Sequence, residues 1–224
     1  MSPRSVATLA ALGALAAAAW AGLDPHRGPL AFLLVAAAIV VAGFAWFEGG
    51  AEAAKDVTLV ATLGGIAAAG RVLFVAVPNV QPVTVIAAAS GAALGPRRGF
   101  AVGALAALAS NVFLGQGPHT PWQMLGWGLC GVLGGLARPL VRRRLVFAIF
   151  CFALGFVYGM PLDLYTWLYL PHNEASLVAV LARGFPFNLA HALGNLALAL
   201  VAGPELRRVL ERYERQTRTE VVYA

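Results

Sequence analysis

The sequence predicts an all-α integral membrane protein: a six-helix bundle preceded by two additional transmembrane helices. Three observations carry that prediction. Apolar residues make up 60% of the 224 and charged residues 12%, against about 45–50% and about 25% in soluble chains. Apolar runs recur along the whole length, several of them near the ~20 residues needed to cross a ~30 Å hydrocarbon core. The runs are continuous rather than alternating, which selects helices over a barrel where lipid leaves the backbone no other partner.

Eight spans follow from reading apolar windows against breakers. The first, 6–23, sits behind Arg4 and has small residues around Trp20, so it has some features of a signal peptide. Its uninterrupted hydrophobicity, with no small-x-small cleavage site before Asp24, favours a retained helix. The second, 30–47, ends at "EGGAE". The third, 57–77, enters after Lys55 and Asp56 and stops at the Pro-bracketed knot "PNVQP". The fourth and fifth, 83–94 and 100–114, are short and joined by "GPRRG", so each borrows flanking residues. The sixth, 122–136, opens on "HTPWQ": Thr120 is a natural N-cap, Pro121 suits the first helical position, and Gln123 closes a capping box. The seventh, 145–162, begins after "RPLVRRR". The eighth, 176–202, would be ~40 Å long if straight, and Pro186 offers it a bend. Three segments result: residues 1–56 hold two N-terminal helices and a linker, 57–203 the six-helix domain, and 204–224 a basic tail. In that tail Leu206, Val209, Leu210 and Tyr213 share one helical face, which suits the inner membrane surface or a solvated helix.

The basic residues set the orientation. With the amino terminus inside, thirteen of the sixteen Lys and Arg fall in cytoplasmic segments, one (Arg27) falls outside, and Arg71 and Arg183 fall within spans. That bias places a multi-pass protein in the inner (plasma) membrane with both termini cytoplasmic. It also accounts for the net charge of +6 without nucleic acid. Cys130 and Cys151 lie in apolar spans without metal-like spacing and read as inert core residues. No zinc, P-loop, dinucleotide or nucleophile-elbow motif is present, so no cofactor, metal site or catalytic group is expected.

The predicted outer loops "PNVQP", "GQGPHTP" and "DLYTWLYLPHNEAS" lack Lys and Arg and carry amides, His and aromatics instead. Arg71 and Arg183 reach similar depths beneath them. An intramembrane Arg costs at least ~2.5–3.5 kcal/mol on insertion scales and usually faces a bundle interior or wet cavity. Snorkelling to the interface, or pairing of either arginine with Asp163, is the bland alternative. Asn188, His191 and Asn195 share one helical face, for which interhelical hydrogen bonding competes with a ligand site. Asn111, Gln116, Trp122 and Tyr158 complete the outer polar set, Trp122 doubling as an interface anchor. On the third span Ala61, Gly65 and Ala69 fall four apart and form a flat small-residue stripe.

From about residue 57 to 203 the chain resembles the substrate-binding S component of energy-coupling factor (ECF) vitamin transporters. The stretches that carry the resemblance are "GRVLFVAVPNVQPVT", "GAALGPRRGFAVGALAALASN", "GQGPHTPWQMLGWGLCGVLGGLA" and the long final helix. The first two spans depart from that six-helix pattern. The resemblance implies a subunit without enzymatic activity that captures a vitamin or related micronutrient from outside. It then docks on a coupling transmembrane subunit driven by two ATP-binding subunits, and the stripe Ala61/Gly65/Ala69 lies where such subunits carry a docking surface. Substrate contacts are then expected from Arg71, Asn79, Gln81, Thr84, Asn111, Gln116, Trp122, Tyr158, Arg183, Asn188 and His191, with the "PNVQP" knot over the pocket. Two cations with amides and aromatics suit a ligand that has an anionic group and a flat apolar part, and cobalamin is the first expectation. Riboflavin, another vitamin or a lipid-like precursor stay open, as do an intramembrane enzyme and a helical scaffold without ligand.

Overall fold

A computed structural model describes residues 27–48 and 54–222, with Gly13 and Ala17 as isolated helical positions. The rest of the predicted first span, and Arg4, lie outside the described residues. Eight α-helices follow among them: α1 (Gly28–Glu48), α2 (Ala54–Leu73), α3 (Val83–Leu94), α4 (Pro96–Leu114), α5 (Thr120–Leu136), α6 (Arg144–Trp167), α7 (Glu174–Val201) and α8 (Gly203–Val222). A 3-10 turn, Phe74–Ala76, extends α2, and no strand occurs among the described residues. Three helical segments are long and apolar enough to cross a membrane: Asp56–Ala76, Arg144–Trp167 and Glu174–Val201. By contrast α3 has 12 residues and is ~18 Å long, short of a full crossing.

The helices pack as a central layer of α3, α4 and α5. Against this layer α2 lies on α4, the α6–α7 hairpin meets α5 through α6, and α1 rests across α4 and α5. Small side chains make the centre: Ala88, Ala92, Ala101, Ala104 and Ala107 are fully buried beside Trp127 and Phe147. Three glycines meet where α3, α4 and α5 touch. A Cβ on Gly91 would overlap the Gly131 carbonyl oxygen, and one on Gly131 would overlap the Gly99 carbonyl oxygen. Backbone-to-backbone approach of this kind is available only to small residues. Both cysteines are buried and free, as inert core residues should be.

The hairpin α6–α7 packs through its own glycines. Gly155 abuts the Ala192 backbone, Gly159 abuts the Asn188 side chain, and Gly184 abuts the Asp163 carboxylate. On that antiparallel register Pro161 of α6 comes level with Pro186 of α7, both inside their helices. The start of α7 is fixed by a capping box in which the Asn173 side chain accepts from the Ser176 amide.

The tail departs from the expected surface helix. Instead α8 folds back beneath α3, burying Leu210 to 3% exposure in the main core while Val209 stays exposed. One guanidinium anchors it: Arg98 donates from Nη2 to Asp56 Oδ2 and from Nη1 to Glu214 Oε2, each at 2.9 Å. Burial alone would lower the Arg98 pKa, but hydrogen bonds and charge from Asp56 and Glu214 outweigh it and raise the value. Arg98→Met takes the shared guanidinium away from Asp56 and Glu214, and breaking a buried pair in this way costs ~3 kcal/mol. Limited proteolysis should then release α8 from the variant before any cut occurs in the wild type; equal cleavage rates would show that the clamp contributes nothing.

Candidate functional site

A face of α2 set by helical spacing points inward. Leu63, Ala67 and Arg71 are four apart and all buried, Arg71 to 6% exposure. Two residues round the same helix, about 200° away, Ala61, Gly65 and Ala69 are exposed, and a Cβ on Gly65 would meet nothing within 4 Å. The structure thus turns the cation inward and leaves the small-residue stripe uncovered.

Arg71 spans from α2 to α4 and α5. Its Nη1 donates to Ser110 Oγ at 2.7 Å and to Asn111 Oδ1 at 2.6 Å, and its guanidinium carbon lies 4.8 Å from the Trp127 ring centroid. Asn111 passes the chain onward: Nδ2 donates to Thr120 Oγ1 at 3.0 Å and to Gln123 Oε1 at 2.7 Å. Thr120 in turn donates to Gln116 Oε1. The predicted capping box is therefore not formed. Helix α5 has His119 at its N-cap without a side-chain cap bond, because Thr120 and Gln123 are drawn to Asn111, a tertiary partner that their local spacing does not reveal.

A second chain of hydrogen bonds meets the first at Trp127. The indole Nε1 donates to Thr84 Oγ1 at 3.1 Å, and Thr84 Oγ1 lies 2.9 Å from His191 Nε2. His191 Nδ1 lies 2.8 Å from the Asn79 carbonyl oxygen. A carbonyl only accepts, so Nδ1 carries the proton and, in the neutral ring, Nε2 accepts from the Thr84 hydroxyl. Tyr158 stacks on Trp127 at 4.2 Å between ring centroids and stands 4.9 Å from His191. Asn79 holds a left-handed φ of 60°, which asparagine tolerates. Its Nδ2 donates to the Phe187 carbonyl at 2.6 Å, tying the turn to α7.

The structure brings together Arg71, Asn79, Thr84, Asn111, Tyr158 and His191, with Gln116 at the rim. It does not bring Arg183 to them. Arg183 is exposed, because five residues along a helix put it about 140° away from Asn188; matched depth is not a matched face. Asn188 faces α6 and donates to Asp163 Oδ2 at 2.7 Å. Trp122 is buried, but in a separate cluster with Ala36, Leu168 and Tyr165, not at a lipid interface. Gln81 is half-buried, and its buried Oε1 has no hydrogen-bond partner.

Sequence reasoning missed Ser110, Trp127 and the roles of Thr120 and Gln123. Trp127 had a usable signal, since an indole in mid-span is misplaced for an interface belt and needs an internal acceptor. Asn195, expected to join helices by hydrogen bonds, is fully buried with both amide atoms unpartnered.

The set is rich in donors and holds one enclosed cation. Among the described residues no carboxylate lies within ion-pairing distance of Arg71, its Nε is buried without an acceptor, and no His, Cys, Asp and Glu group has metal-holding geometry. Such a site suits an anion.

No curated protein and no solved structure matches the chain. Residues 51–208 match the profile of a family of unknown function, DUF6580, a stretch that takes in both hydrogen-bond chains and leaves α1 outside. The chain belongs to that family.

Proposed function

We propose that this protein is the substrate-binding membrane subunit of an ECF-type importer, taking up a micronutrient that bears an anionic group. One observation carries the reading: Arg71 is enclosed by α2, α4 and α5, and among the described residues no carboxylate neutralises it. A buried lone charge costs several kcal/mol unless something pairs with it, and intramembrane cations are kept where function requires them. A phosphate or carboxylate would take the place of Ser110 and Asn111 as acceptor for the guanidinium. Trp127, with the guanidinium over its ring and Tyr158 stacked on it, closes the apolar side of the site. Three helical segments with the length and composition to span a membrane support the setting, and six helices from α2 to α7 suit the S-component pattern. The exposed stripe Ala61/Gly65/Ala69, on the back of the helix that carries Arg71, suits docking to a coupling subunit. In this reading the Arg71 end faces outward, the Arg98 end faces the cytoplasm, and a phosphate-bearing vitamin of cobalamin type is the first ligand to test.

The test is purification of the full chain in mild detergent from cells that express it, followed by mass spectrometry. The expected result is a retained small anion together with coupling and ATP-binding subunits. A second reading, a ligand-free scaffold, is favoured by the way the polar side chains bond one another. Absence of any retained molecule, with no heat on titration with cobalamin or riboflavin, would select that scaffold.

A further inference from the structure

At the opposite end of α4 from Asn111, the structure opens two adjoining clefts of about 240 and 410 Å³ between the start of α6 and α8, sharing Arg142, Arg207 and Glu211. We infer that they bind the phosphate headgroup of an acidic phospholipid. A run of arginines is ordinarily a solvated face, but two features argue for a built site. First, Arg207 lines both clefts, is 9% exposed, and is held rigidly: it donates to the Val141 carbonyl and to Glu211 Oε1, and its guanidinium lies 5.7 Å from the Phe147 ring centroid. Its buried Nε–H still has no acceptor. Second, Arg138, Arg142 and Arg144 stand exposed around the clefts, and no ion pair or hydrogen bond engages their side chains among the described residues. Glu211 and Glu214 leave an excess of positive charge there.

The surroundings choose between a free phosphate and a lipid. Leu140, Leu145 and Val201, which flank the lining residues in the chain, are exposed to 72%, 61% and 77%. A dissolved anion needs no apolar flank, whereas a phosphate carrying acyl chains does. The helices that end here, α6 and α7, are two of those long and apolar enough to cross a bilayer, so the clefts stand at headgroup height. Fixed guanidinium forks match phosphate oxygens, and each basic residue near an anionic leaflet adds an attraction on the order of 1 kcal/mol.

This inference rests on the membrane setting but not on the Arg71 site. The full chain, purified in detergent, is mixed with phosphatidylglycerol or phosphatidylcholine, and retained lipid is measured by native mass spectrometry. Preferential retention of phosphatidylglycerol is expected. Arg142→Gln combined with Arg144→Gln should weaken it about tenfold or more without moving the melting temperature, and Arg71→Met should leave it intact. Excess inorganic phosphate should fail to displace the lipid. Equal retention of both lipids, an unaffected double variant, or displacement by inorganic phosphate or an acidic peptide would overturn the inference. A chain that stays dispersed without detergent would overturn the membrane setting itself, which separates the two failures.

Discussion

Gly131→Ala is expected to abolish accumulation of the folded protein. The added methyl would lie against the Gly99 carbonyl and the Phe100 amide nitrogen, which are backbone atoms inside α4 and cannot rotate aside. Overpacking against movable side chains costs ~1–3 kcal/mol. Here α5 must instead retreat from both α3 and α4, because Gly91 and Gly99 each pack on the Gly131 carbonyl as well. Against a total stability of about 5–15 kcal/mol, a backbone clash that costs well beyond ~3 kcal/mol removes most or all of the margin. Gly65→Ala is the matched control: nothing lies near its Cβ position, and replacing a mid-helix glycine with alanine gains up to ~1 kcal/mol. Thermal unfolding in detergent should therefore separate the two sharply. Similar melting temperatures would mean that the three-glycine contact does not hold the central layer together.

Arg71→Met should lower affinity for an anionic ligand by about 10–100-fold, the equivalent of one charge-assisted hydrogen bond of ~1.5–3 kcal/mol. Stability should change much less. Removal of a buried unpaired charge is often neutral or stabilising, while Asn111 Oδ1 loses the Nη1 donor that it accepts from at 2.6 Å at a cost of ~1–3 kcal/mol. The two effects oppose one another. Calorimetric titration with the molecule recovered from the wild-type protein reads the first, and thermal unfolding the second. A fall in melting temperature with unchanged affinity would make Arg71 a structural strut and remove the observation on which capture rests.

The positions of the helices were legible because hydropathy and breakers are local. The 3-10 turn and the "PNVQP" stretch close α2 near the expected boundary, and α3 covers 83–94 as expected. The angle between Arg71 and the stripe Ala61/Gly65/Ala69 was fixed by one helical period, but which of the two faces turns inward was not. Arg183 shows the limit. Its depth could be counted from the chain, but its azimuth depended on which face of α7 meets α6, and Gly155, Gly159 and Gly184 decide that. Thr120 and Gln123 show a second limit, because the local capping pattern competes with Asn111, nine and twelve residues away, and the tertiary partner wins. The glycines of the central layer were hidden for a different reason: in a chain with 25 glycines, small-residue spacing recurs by chance, and only the packing says which of them touch backbone.

Pro161 and Pro186 stand side by side on the α6–α7 register. Each removes one rung from its helix ladder, so resistance to bending is lowest at a single height in both members of the pair. Bending at that height is opposed at the tip, where Leu168 and Tyr165 pack with Trp122 and Ala36, and on the stem side, where Gly155 abuts the Ala192 backbone. Tyr158 and His191 lie on the stem side of that height, one on each arm, so the contact between their rings is set where the two helices are clasped rather than where their ladders are interrupted.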